Sequence, residues 1–128
     1  MELMRQTAKT GKYGEDIAAK HLAGLGYLIL FKNHREGFDE IDIIARRPDR
    51  TLVFCEVKTA TISNSWSGSF MPEDNLTYSK LKKLERGARI FLAKRPNLLD
   101  EERGWQIDLI AISLQNEIFF SLNHYENI

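Results

Sequence analysis

The sequence is poor in the features that staple a chain or carry it across a bilayer. It holds a single cysteine, Cys55, in 128 residues. No internal disulfide can form, and a lone thiol fits a reducing cytoplasm. Three prolines and eight glycines are too few for a collagen-like or low-complexity chain. The longest unbroken apolar run is Tyr27–Phe31, far short of the ~20 residues a membrane-spanning helix needs, so no membrane association is expected. Met1-Glu2-Leu3-Met4-Arg5 shows neither the apolar core nor the cleavage site of a signal peptide, and a cytoplasmic location is the expectation. Net charge is missing too, with 18 basic against 18 acidic residues. That argues against a protein that coats nucleic acid by charge alone. A nucleic-acid enzyme stays open, because the distribution of charge matters more than its sum.

What is present is an ordinary globular composition, 43% hydrophobic and 28% charged. The length suits one domain, residues 1–128. Residues 1–11 are polar and expected to fray. At 100° per residue, Ile17, Ala18, His21, Leu22 and Leu25 share one arc, which predicts a helix from about Tyr13 to Leu25 with Gly26 as its cap. Glu15 lies at the edge of that arc, whereas Asp16 points away from it. A strand-like run, Tyr27–Phe31, leads to a polar turn at 33–37, then a strand from about Glu40 to Arg46 and a third from about Thr51 to Lys58. Short strands joined by tight turns predict an antiparallel meander.

The stretch 60–76 has no periodicity and reads as a long, mobile loop. Its aromatics, Trp66 and Phe70, can stack on bases but more often anchor a loop. Leu81, Leu84, Ala88, Phe91 and Leu92 then mark a helix ending near Pro96. Its other face carries Lys80, Lys82, Lys83, Arg86, Arg89 and Lys94, and with Glu85 included six of seven charges are positive. A solvated helix normally mixes signs to gain pairs one turn apart. A face of one sign in a neutral protein suggests nucleic-acid phosphate contacts through Lys80, Lys82, Lys83, Arg86 and Arg89. Strands at Trp105–Leu114 and Ile118–Leu122 complete an α/β order of αβββαββ.

Strands two and three carry charges where branched apolar residues are expected. With period 2, Glu40, Asp42 and Ile44 face one way, and Ile41, Ile43 and Ala45 the other. Phe54, Glu56 and Lys58 likewise oppose Val53, Cys55 and Val57. If they lie on the same face, Asp42 and Glu56 can be cross-strand neighbours, and two like charges there repel and resist desolvation unless a cation neutralises them. Mg²⁺ is suited to this, taking one or two carboxylates and keeping waters and phosphate oxygens in its octahedron. The Val57 carbonyl is a candidate third ligand. Lys58 can contact a phosphate or a metal-bound water. The set suits hydrolysis of a phosphodiester.

Asp42 followed at a distance by Glu56-Val57-Lys58 resembles the D…E-x-K signature of the PD-(D/E)XK nuclease superfamily. Gly11-Lys12-Tyr13-Gly14-Glu15-Asp16-Ile17-Ala18-Ala19, Glu40-Ile41-Asp42-Ile43-Ile44-Ala45 and Val53-Phe54-Cys55-Glu56-Val57-Lys58 resemble the YraN family of small bacterial predicted endonucleases, related in fold to archaeal Holliday-junction resolvases. The resemblance implies a restriction-endonuclease-like three-layer fold, with a mixed central sheet flanked by helices. It implies a Mg²⁺-dependent endonuclease, with Mn²⁺ able to substitute, acting on branched or otherwise structured nucleic acid, DNA favoured over RNA. Asp42 and Glu56 would hold the metal, Lys58 would be the catalytic lysine, and Glu15 would be a further acidic site residue. Lys80 and Asp108 fall at positions resembling later motif residues. A homodimer is the analogy with resolvases, which cut two strands. Two departures stand out: Ala60 occupies a position where an arginine is expected, and Phe38-Asp39 one where a glycine is more usual.

Other readings compete with this one. A nuclease-like module can bind nucleic acid or a partner protein without cutting, and an exposed sheet face can carry a purely structural ion network. Asp39 and Glu40 read as turn and strand-edge charges. Asp108 reads as one side of a partly buried salt bridge. Cys55 falls on the face opposite Glu56 and reads as a buried, inert thiol. His21, His34 and His124 show no metal-ligand spacing.

Overall fold

The computed structural model describes residues 2–61, 76–115 and 120–128, with side chains from Lys12 onward. The order is α1 (Glu2–Gly24), β1 (Leu28–Glu36), β2 (Asp39–Arg46), β3 (Leu52–Thr61), α2 (Tyr78–Lys94), a 3₁₀ turn (Pro96–Leu98), β4 (Trp105–Leu114) and β5 (Phe120–Tyr125). Most of the stretch 60–76, including Trp66 and Phe70, lies outside the described residues.

The five strands form one mixed sheet in the order β1-β2-β3-β4-β5. The first three are the expected antiparallel meander. The chain crosses over through α2, so β4 runs parallel to β3, in register from Leu52↔Trp105 to Thr61↔Leu114. Parallel neighbours need such a crossover because no tight turn can join them. β5 closes the sheet antiparallel to β4.

Among the described residues, each face of the sheet is covered by one helix. Ile17, Ala18 and Leu22 of α1 pack on Ile43, Val53, Cys55, Ile110 and Ile112. Leu84, Ala88 and Phe91 of α2 pack on Ile41, Ile44, Phe54 and Ile107. Two glycines let the helices sit close. A Cβ on Gly14 would collide with Thr59 of β3, and one on Gly87 would press on Asp39 and Ile41 of β2.

The local readings hold in some places and shift in others. Gly26, at φ 89°, ends α1 as predicted. Tyr27 N–H donates to the Leu22 carbonyl and Gly26 N–H to Ala23, which satisfies two orphan carbonyls. Leu25 is exposed, however, because the helical arc ends at Gly24. The helix also begins at Glu2, so residues 2–11 are helical. Once α1 is nucleated by its packed half, each further residue fixed adds one hydrogen bond, without the nucleation penalty of fixing three residues for the first.

β1 does not turn at 33–37 but runs on to Glu36, and the hairpin turn is Gly37-Phe38, with Glu36 paired to Asp39. A polar stretch survives as strand there because Glu36 finds three cationic or hydrogen-bonding partners on the α2 side: His34, Lys94 and Arg95, at 2.7, 2.9 and 2.6 Å. β5 runs past the expected end at Leu122 to Tyr125, and Ile118 and Phe119 lie outside the described residues.

Candidate active site

At the end of the sheet nearest the β1–β2 turn, β2 and β3 part. Their ladder is paired from Arg46↔Leu52 only as far as Ile43↔Cys55. Beyond that point Val57 N–H donates to the side chain of Asp42, at 2.8 Å from Oδ2. A side-chain carboxylate thus takes the place of a strand carbonyl. Strict alternation also fails here. Ile41 was expected beside Ile43 and Ala45, yet it packs with Ile44 against α2. Once a strand leaves its ladder partner, the pleat no longer dictates which way each side chain points.

The parted strands and α2 line an open cavity of about 310 Å³, whose walls include Asp42, Glu56, Lys80, Lys83, Glu40 and Phe38. Asp42 and Glu56 therefore share one space, as their strand positions predict. Burial pushes the Asp42 carboxyl up to about 7, and the charge of Glu56 pushes the same way, with smaller contributions from Glu15 and Glu40. The Val57 N–H is the opposing influence. Glu15 stands back from the cavity lining, hydrogen-bonded to Asn33, and its own pKa is raised chiefly by burial.

Two lysines reach Glu56. Lys58 Nζ is 3.2 Å from Glu56 Oε1, and Lys80 Nζ 3.8 Å. Burial pulls the Lys58 pKa down, but its hydrogen bond with Lys80 and the charge of Glu56 outweigh that and raise it. The Lys80 pKa falls, first through that same hydrogen bond and then through burial. Lys80 belongs to the first turn of α2, where Thr77 caps the helix by accepting from Lys80 N–H and no acidic residue offsets the dipole.

The basic face of α2 divides. Lys80 and Lys83 line the cavity. Arg86 is instead engaged with Asp39 by two hydrogen bonds of 2.7 and 2.9 Å. Lys82 pairs with Glu85 at 3.5 Å, and Arg89 lies over the ring of Trp105. Asp39 is a turn charge, as read from the sequence, but a buried one held by Arg86. Glu40 pairs with Arg35 at 3.5 Å at the strand edge.

A second polar cluster lies on the α1 face of the sheet. Asp108 is fully buried. Its Oδ2 is 2.8 Å from His124 Nε2, and its Oδ1 accepts from Gln106 Nε2 at 2.9 Å and Asn127 N–H at 3.0 Å. The other nitrogen of His124, Nδ1, is 3.1 Å from His21 Nε2. Asp108 has the buried partner expected of it in His124, an ion pair when that ring is protonated, and its burial is complete rather than partial. Sequence reasoning missed the His21–His124–Asp108 chain because a last strand ending at Leu122 leaves His124 in a tail. The signal was there in the alternation of Leu122 and His124, which puts both on one face. Asp108, His124 and Glu126 could together hold an ion, with ligand atoms within 4.8 Å of one another. Each already has protein partners, Glu126 through Tyr27 and Arg47. Cys55 is buried, and burial pushes its thiol well above the usual range, so it is inert as expected.

Known proteins give this chain relatives but no chemistry. Residues 14–112 match the family described as uncharacterised protein family UPF0102. A UPF0102 protein of Parafrankia sp. is 43% identical over 94 residues, 73% of this chain and 75% of that protein. One from Sulfurihydrogenibium sp. is 37% identical over 124 residues, covering 97% and 96% of the two chains. One from Persephonella marina is 35% identical over 114 residues, covering 89% and 90%. The matched span runs from the glycine that seats α1 on β3 to Ile112 in β4, and takes in Asp42, Glu56, Lys58 and Lys80. The chain belongs to the UPF0102 family.

Proposed function

We propose that this protein is a metal-dependent nuclease of restriction-endonuclease-like fold that hydrolyses phosphodiester bonds in structured nucleic acid, DNA favoured. The observation that carries this reading is the sharing of one cavity by Asp42 and Glu56 with Lys58 and Lys80 beside Glu56. A carboxyl raised to about 7 signals a site that is electrostatically unfinished. Two hard oxygen donors on parted strands are a fitting donor set for Mg²⁺ or Mn²⁺.

Asp42 and Glu56 would hold the ion, with Val57 as the candidate backbone ligand. The ion would lower the pKa of a bound water and stabilise charge on the phosphoryl oxygens. The chain's own residues do the rest. Val57 N–H fixes the rotamer of Asp42. Lys58 holds its proton beside Glu56 and is placed to meet a phosphoryl oxygen. Lys80 and Lys83 give the cavity the positive rim that a phosphate backbone needs. Glu15 acts at longer range, as one more negative charge on the side of Asp42.

The test is a cleavage panel of linear, branched and single-stranded DNA and RNA, in Mg²⁺, Mn²⁺ or chelator. Asp42→Asn, Glu56→Gln and Lys58→Ala should each reduce cleavage by more than about a thousandfold while leaving a folded protein, because such a site acts as a unit. Full activity in any one of the three would reject its assigned role. No metal-dependent turnover on any substrate would leave a nuclease-like module that binds without cutting.

A further inference from the structure

The cavity has one wall that the chemistry above does not use. Phe38 sits at the tip of the β1–β2 hairpin and is 99% exposed, while lining the same cavity as Asp42, Glu56, Lys80 and Lys83. An isolated exposed aromatic is common and by itself means little. Three further observations set this one apart.

The turn does not need it. Gly37, at φ 59°, supplies the left-handed residue of a two-residue hairpin, and the next position accepts small polar residues readily. The tip is also held from both sides. Asp39 is clamped by Arg86, and Glu36 by Lys94 and Arg95. The ring is therefore displayed on a fixed base rather than on a loose loop. Finally, Lys80 and Lys83 line the same cavity as the ring, so a phosphate held by them shares that space with Phe38.

We propose that Phe38 is a stacking platform for an unpaired base next to the bound phosphate, which makes the preferred substrate class nucleic acid with an unstacked base there: a single strand, a junction arm or a mismatch. This rests on the nuclease reading and narrows it. Every base has an aromatic face, so the contact selects for unpaired structure and not for sequence. A base inside a duplex keeps its face covered by its neighbours and gains nothing from the ring. Phe38 is a specificity residue and takes no part in the proton or phosphoryl chemistry.

The experiment measures binding in Ca²⁺ with no Mg²⁺ or Mn²⁺, so that affinity is read apart from cleavage. Probes are a 20-nucleotide single DNA strand, its duplex, and that duplex with a three-base mismatch, each with one 2-aminopurine. Wild type, Phe38→Ala and Phe38→Trp are compared. Phe38→Ala should weaken binding of the single strand and the mismatched duplex by roughly five- to a hundredfold. Its affinity for the matched duplex should change by less than twofold, and its unfolding midpoint should not move. Phe38→Trp should restore both affinity and the quenching of 2-aminopurine that stacking produces. Equal weakening on all three probes, or none on any, overturns the platform while leaving cleavage by the wild type untouched. If the wild type binds no probe, and the cleavage panel is also silent, the nuclease reading has failed and the platform with it.

Discussion

Asp42 and Asp108 stand in nearly the same local sequence, Glu40-Ile41-Asp42-Ile43-Ile44-Ala45 and Gln106-Ile107-Asp108-Leu109-Ile110-Ala111. Both lie on strands of one sheet, and their fates are opposite. Asp108 faces α1, is fully buried, and receives hydrogen bonds from Gln106 and Asn127 together with the His124 ring. Asp42 faces the cavity under α2. It has the Val57 N–H as a partner, Glu56 as a neighbour, and a pKa raised to about 7. One strand pattern thus yields a finished structural carboxylate on one face and an unfinished one on the other. The difference comes from what the neighbouring elements bring: donors to Asp108, a second carboxylate to Asp42. Unfinished electrostatics at a cavity is what a site for a cationic ligand looks like.

The largest effect that can break this comparison is at Asp108. Asp108→Asn replaces one of two acceptor oxygens with an NH2 donor, in a fully buried place where Gln106 Nε2, Asn127 N–H and His124 Nε2 converge on the carboxylate. It should lower stability by about 3 kcal/mol, the usual scale for an orphaned buried polar group or half of a broken buried pair. Urea unfolding with an unchanged m-value is the check. A loss below about 0.5 kcal/mol would mean that the Asp108 cluster is not structural.

Metal separates the two clusters next. Mg²⁺ or Mn²⁺ at ten times its Kd should stabilise the wild type by about 1.4 kcal/mol through mass action. Glu56→Gln should lose most of that gain, and Asp108→Asn should keep it, each measured by thermal unfolding at fixed ionic strength. The reverse pattern would place the ion at Asp108, His124 and Glu126, where ligand atoms also converge, and would remove the physical basis for the proposed chemistry.

How much of this was legible depends on whether a feature is local. The alternation in 40–46 and 51–58 and the stripe in α2 are one-dimensional patterns, and they place the meander, the second helix and β4 closely. Asp42 and Glu56 could be brought together because a tight turn and a period of two fix their relation. What failed depends on partners far away in sequence. Residues 33–36 look like a turn until Lys94 and Arg95 arrive to satisfy Glu36. His124 looks like a tail residue until Asp108 receives it. Arg86 belongs to a basic face on a helical wheel, but in three dimensions it is the clamp of Asp39. The side to which Ile41 turns depends on where the β2–β3 ladder ends, and periodicity carries no information about that.

The central claim is that the surroundings of Asp42 disfavour its charge. Its ordinary value is 3.8 and its folded value about 7. Between those pH values the folded protein keeps a proton that the unfolded chain releases, so stability falls as pH rises through that window. A displacement of even one pH unit corresponds to about 1.4 kcal/mol. Asn has the same shape, can still accept from Val57 N–H, and carries no charge. The most direct measurement is therefore the unfolding free energy of wild type and Asp42→Asn from pH 4 to pH 8 in chelator. The account predicts equal stability at pH 4 and an Asp42→Asn protein more stable by about 1.4 kcal/mol or more at pH 8. An Asp42→Asn protein equal to or less stable than wild type at pH 8 would contradict it, and would make Asp42 a structural carboxylate like Asp108.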